Sequence, residues 1–186
     1  HFNIRSTISR ITAAVQNGAV YAWGNNEQGQ LGLGYTGGWA GTPTRVGTDA
    51  DWALIAAGAA HSVGLKTNGS LWTWGYNNEG QLGGGSSANR ASPTQVQGIT
   101  DIATTCGGDY YSMALKADGS VWAWGANYDG VLGDGTQNNS SVPIPLAGLS
   151  SVSAIACGND HVLALRRDGT VWAWGSNAEG ALGDGS

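Results

Sequence analysis

Apolar and polar positions alternate in short runs along this chain, and the runs recur. In Val171-Trp172-Ala173-Trp174 the period of a strand puts two indoles on one side and the smaller residues on the other. The same split is written in Val121-Trp122-Ala123-Trp124, Leu71-Trp72-Thr73-Trp74 and Val20-Tyr21-Ala22-Trp23. Each run closes on a glycine, at Gly24, Gly75, Gly125 and Gly175, with spacings of 51, 50 and 50 residues. A period this regular indicates a solenoid, a propeller or an array. Asn17-Gly18, Asn68-Gly69, Asp118-Gly119 and Asp168-Gly169 precede the runs. Such pairs predict tight type I′ hairpins, which need φ > 0 at both central residues. Further strands are predicted just before three of them, over 62–65, 112–115 and 162–165.

Glycine-rich turns follow each tryptophan run, carrying Leu31, Leu82, Leu132 and Leu182 as apolar plugs. Variable polar connections come next, over 35–42, 86–92 and 136–142, and end at Pro43, Pro93 and Pro143. Proline followed by alternating residues reads as the start of an edge strand. Another short strand is predicted over 54–57, 102–105 and 154–157. Each unit then holds about four short strands, the count of a propeller blade. A bulky aromatic face and a face of smaller residues on every sheet let neighbours pack large against small. A buried Trp removes about 150–250 Å² of surface, worth several kcal/mol at about 25 cal/mol per Å². No unit can cover its own indoles, so neighbours supply the cover. Trp23, Trp72, Trp74, Trp122, Trp124, Trp172 and Trp174 are therefore expected to pack blade against blade.

The expected organisation is one repeat domain over 1–186, with hairpin units centred on 17–34, 68–85, 118–135 and 168–185. Residues 1–16 are degenerate: either an atypical terminal repeat or a strand for another partner. If Val15 takes the place of Leu65, the first hairpin turn is one residue shorter than the later ones.

Composition narrows the function classes. Thirty-two glycines recur at fixed offsets, nine tryptophans argue against disorder, and only 11% of residues are charged. The net charge of −5 with no basic run disfavours nucleic acid as a partner. No apolar stretch is long enough for a membrane span. His1 in place of Met suggests a processed or trimmed product, and the scarcity of lysine leans towards a secreted or cell-surface setting. Cys106 and Cys157 fit no metal spacing and lie one position out of step in the repeat alignment. The expected role for them is as small buried residues in adjacent repeats, since a disulfide needs a close Cα approach.

The pattern Ala57-Gly58, His61-Ser62, Leu65, then Asn-Gly, then Trp74-Gly75 through Asn77 to Gly80-Gln81-Leu82-Gly83 resembles the regulator of chromosome condensation repeat. The resemblance covers nearly the whole chain after about residue 17. It implies an all-β fold, a β-propeller of four-stranded blades, usually seven. Family members include a nucleotide exchange factor for the GTPase Ran, ubiquitin-ligase propellers and a secreted β-lactamase inhibitor. About four repeat units are present here, so the expected object is a partial ring, or a protomer of an assembled ring or filament. Such an arc exposes a tryptophan face at one end and a small-residue face at the other. Two arcs could close an eight-blade ring.

His61 and His161 share one offset that Tyr111 occupies in the third copy, which predicts a structural polar residue rather than a ligand. Glu27, Glu79, Asp129 and Glu179 recur beside the glycine turns and are expected to be solvated or turn-capping carboxylates. No metal, cofactor or catalytic site is expected, because no set of ligands or phosphate loop recurs. Loops on a rigid scaffold are the better place for specificity. There Tyr35, Trp39, Arg90, Tyr110 and Tyr128 are candidate partner-binding residues, with packing under the first connection an equal alternative for Trp39. The expected function is a non-catalytic protein-interaction scaffold, self-associating or binding another protein. The alternatives are guanine nucleotide exchange on a small GTPase and secreted enzyme inhibition.

Overall fold

The structure is a computed structural model that describes residues 3–4 and 11–185. Those residues form four antiparallel sheets. The first blade comprises β1 (Asn3–Ile4), β2 (Ile11–Gln16), β3 (Ala19–Asn25) and β4 (Trp39–Arg45). Next come β5 (Trp52–Ala57), β6 (His61–Lys66), β7 (Leu71–Gly75) and β8 (Arg90–Gln95). The third blade holds β9 (Ile102–Gly107), β10 (Tyr111–Lys116), β11 (Val121–Gly125) and β12 (Ser140–Pro145). The fourth has three strands among the described residues: β13 (Val152–Cys157), β14 (His161–Arg166) and β15 (Val171–Gly175). β1 and β2, which fall in the degenerate opening, are strands of the first blade, since β2 pairs with β3 and β1 with β2.

Two sequence expectations need correction. Of the four hairpins, only that of Asn17 and Gly18 is a two-residue turn with both φ positive, at 50° and 77°. In the later copies Gly69, Gly119 and Gly169 have positive φ while Asn68, Asp118 and Asp168 do not. There the amide of Gly69 donates to Lys66 O and that of Lys66 to Ser70 O, giving a longer turn that ends in a bulged glycine. The side chain at the Asn/Asp position serves the turn in another way, as Asn68 Oδ1 accepts from the amide and hydroxyl of Ser70. The extra residue explains the difference, as the first hairpin is the short one. The outer strands also begin before their prolines, at Trp39, Arg90 and Ser140. Each of these strands bulges against its neighbour, where a missing N–H costs no ladder bond.

Blades stack as the alternation requires. Trp124 is fully buried in a cluster with Val63, Leu65 and Leu71 of the preceding blade, and its Nε1 donates to Gln81 O at 2.9 Å. Trp174 repeats this one blade later, its Nε1 donating to Val131 O at 2.8 Å. The indoles of Trp74, Trp124 and Trp174 press on Gly32, Gly83 and Gly133, where a Cβ would stand within 2.8 Å of the ring nitrogen. These glycines also have φ near +70°, so both space and conformation exclude a side chain. Trp52, outside the tryptophan runs, meets Trp72 and Trp74 edge-on at 6.0 and 5.8 Å. Lys66 lies over the rings of Trp52 and Trp72 and pairs with Asp49 and Asp51.

Candidate interaction surfaces

Antiparallel strands send alternate turns to opposite ends of each blade. One end, the hairpin rim, carries the Asn/Asp-Gly turns and the connectors between blades. The other, the loop rim, carries the short turns 58–60, 108–110 and 158–160 and the long loops 26–38, 76–89 and 126–139.

An asparagine pins each glycine-rich turn, buried in the first three copies and half-buried in the fourth. Oδ1 of Asn26, Asn77, Asn127 and Asn177 accepts from the amide of Leu31, Leu82, Leu132 and Leu182. Nδ2 of Asn77 donates to Ser86 O and Ala88 O, and that of Asn26 to Tyr35 O. The repeated Trp-Gly-x-Asn spacing carries this signal in the sequence, beside the more conspicuous leucine plugs. Loops tied at both ends present their tips as fixed surfaces.

Blades are also tied near the axis. His61 is fully buried, with Nε2 2.9 Å from Ser112 Oγ in the next blade. The Ser112 hydroxyl donates to Gln81 O, so the imidazole supplies the proton of the His–Ser bond. Burial lowers the His61 pKa to about 4, only partly opposed by its hydrogen bond to the Tyr111 backbone. Tyr111 reaches onward: its hydroxyl donates towards Gly158 O and His161 O at 2.9 and 2.8 Å. Burial, then the charges of Asp160 and Asp109, push its phenol upward. These residues are structural, as their repetition implied.

Cys106 and Cys157 form a disulfide between β9 and β13, with Cα atoms 5.8 Å apart. The expectation of two independent small residues is thereby corrected. The one-position offset in the repeat is what sets them opposite across the gap between neighbouring inner strands. They border an axial cavity of about 330 Å³ with Ala56, Thr104, Ile155 and Asn159. No group of three or more potential metal ligands occurs among the described residues. No helix there is long and apolar enough to cross a membrane.

The candidate partner-binding residues divide into two places. Tyr35 and Trp39 belong to the first blade's long loop and the start of β4, 55% and 77% exposed. The Trp39 ring lies against Gly41 of the same strand. Tyr110 and Tyr128 lie on the loop rim of the third blade. Tyr76, which the sequence did not single out, stands 5.8 Å from the Tyr110 ring. Hydrogen bonding to Glu79 raises the Tyr128 phenol pKa, and Asn139 Nδ2 donates to the same carboxylate at 2.7 Å. Arg90 is half-buried at the start of β8, its guanidinium against Gly84, and does not join the tyrosines. Glu27, Asp129 and Glu179 are exposed, as solvated turn residues should be.

A second surface is the outer face of the fourth blade. Leu163, Leu165 and Val171 are 38%, 40% and 65% exposed; Trp172, on the opposite face and expected to pack between blades, is itself 48% exposed. Their counterparts Met113, Leu115 and Val121 are 0%, 3% and 0% exposed under the fourth blade. At the other end Tyr21 and Trp23 are half-buried.

Four-stranded antiparallel blades on a 50-residue period agree with the family comparison, in which residues 5–186 match the RCC1-like domain. The chain belongs to the RCC1-like domain family. It is 40% identical over 82 residues to the human probable E3 ubiquitin-protein ligase HERC3, covering 43% of this chain and 8% of that protein. The Arabidopsis thaliana ultraviolet-B receptor UVR8 is 34% identical over 84 residues, covering 44% of this chain and 19% of the receptor. Human WBSCR16 superposes with a TM-score of 0.87 at 26% identity, over 99% of this chain and 50% of that one. Prp20p of Saccharomyces cerevisiae gives 0.84 at 22%, over 100% and 48%. Yeast RCC1 (Prp20) bound to Kap60 gives 0.80 at 22%, over 95% and 44%. The chain therefore spans about half of these solved propellers and a small part of the two curated relatives. Its fold is a partial RCC1-type propeller.

Proposed function

We propose that the chain is a non-catalytic protein-interaction scaffold that associates with copies of itself. The observation that carries the reading is the uncovered aliphatic face of Leu163, Leu165 and Val171. Every earlier blade presents the same kind of face to the indoles of its successor. A neighbour presenting an aromatic strand suits it, and the Tyr21/Trp23 face of a second copy has that chemistry. Exposed apolar patches of this kind mark association sites in soluble proteins. At the level of fold, yeast RCC1 (Prp20), which has been solved bound to Kap60, is a protein of this kind with a protein partner.

Sedimentation velocity over a wide concentration range tests the proposal. The expected result is a mass that rises with concentration and falls back to the monomer in Val171→Asp. A wild-type chain that stays monomeric throughout would overturn it.

A further inference from the structure

The net charge of −5 conceals two unlike ends. Eight of the 13 carboxylates lie on the loop rim, among them Glu79, Asp109, Asp129 and Asp160. Arg90 is the one Lys or Arg on that rim among the described residues, and its guanidinium is turned against Gly84. On the hairpin rim five carboxylates are balanced by Arg45, Lys66, Lys116, Arg166 and Arg167. Among the described residues the excess negative charge is therefore concentrated at the end that also carries the exposed tyrosines.

Three local features say what that end lacks. Asp109 and Asp160 repel one another: burial and then the Asp160 charge raise the Asp109 carboxyl above its usual range. Neither carboxylate is in an ion pair among the described residues. The Tyr76 and Tyr110 rings touch beside them at a tilt of 59°, and Tyr128 is 51% exposed. Beneath this pair Gln81 is fully buried, and its Nε2 has no hydrogen-bond partner. Its counterpart Gln30 donates from Nε2 to Asn25 Oδ1 at 2.7 Å. Both glutamines fix Oε1 in the same way, on the amides of Gln28 and Glu79. At residue 76, which corresponds to the accepting Asn25, a tyrosine stands instead.

We propose that the loop rim around Tyr76, Tyr110, Tyr128, Asp109 and Asp160 docks a lysine- or arginine-rich segment of a partner protein. This rests on the reading of the chain as an interaction scaffold, but not on its self-association. A guanidinium or ammonium group satisfies the two carboxylates at short range and stacks on the tyrosine faces. The surrounding acidic field steers basic partners to this rim and repels anionic ones.

Fluorescence anisotropy with a short labelled peptide of alternating arginine and glycine, at low salt, tests the proposal. Saturable binding is expected, weakened about tenfold by Asp109→Asn with Asp160→Asn. Tyr110→Ala with Tyr128→Ala should weaken it about fivefold with no change in charge. Asp101→Asn with Asp118→Asn, the same charge change on the hairpin rim, should matter less than about twofold. Val171→Asp should leave peptide binding intact, which separates this test from that of self-association. No binding, equal losses from both rims, or indifference to the tyrosines would overturn the proposal, even where sedimentation shows association. Should a paired variant fail to fold, Tyr128→Ala alone, at a half-exposed site, decides the point: a loss of affinity supports the proposal and an unchanged affinity overturns it.

Discussion

The third and fourth blades contain one identical strand, Val-Trp-Ala-Trp-Gly, at 121–125 and 171–175. Val121 is completely buried and Val171 is 65% exposed; Trp124 is inaccessible and Trp174 half-buried. Local sequence, hairpin and register are alike in the two copies. Only the neighbour differs. Burial in this fold is supplied by the next blade, so the energetic value of a residue depends on its place in the stack.

Paired substitutions break or sharpen that contrast. Trp124→Ala should cost about 4 kcal/mol and Trp174→Ala about half as much, read from urea midpoints. Equal costs would mean that the fourth blade's surroundings are as complete as the third's. Removing the Cys106–Cys157 bridge, whose sequence separation is 51, should cost about 3 kcal/mol. Amide exchange should then accelerate in β13–β15 before β9–β11, because the bridge ties the open blade to the closed one. Uniform acceleration would contradict this.

A smaller effect comes from pH. The folded His61 pKa of about 4 lies below its ordinary value of 6.5, so the unfolded chain takes up the proton first. The stabilisation by neutral His61 is complete above pH 6.5 and is lost as pH falls towards 4, by at most about 3 kcal/mol. His61→Gln should be destabilised at neutral pH and show a flatter profile between those limits in urea titrations. A wild-type-like slope in the variant would remove His61 as the cause. Smallest is the valine pair: Val121→Ala should cost about 2 kcal/mol and Val171→Ala under about 0.5.

The repeat was legible in sequence because each unit writes its turn glycines and indoles at the same offsets. Burial of Trp74 and Trp124 between blades agrees with the strand period, while Trp172, expected to pack in the same way, is 48% exposed. Turn chemistry was less legible: Asn68-Gly69 and Asn17-Gly18 look alike as dipeptides, but one more residue before Asn68 changes which carbonyl the glycine amide reaches. Trp52 was missed because it lies outside the repeated run, on an inner strand that also buries Ile55. Contacts between blades were hidden for a similar reason. The Tyr76–Tyr110 pair joins positions in different units, and the disulfide depends on a gap between two inner strands that no linear spacing measures.

Amide hydrogen exchange followed at several protein concentrations tests the central claim most directly. Association through the open blade predicts that protection of β14 and β15 rises with concentration while β10 and β11 stay constant. Protection in β14 and β15 that is independent of concentration would contradict it.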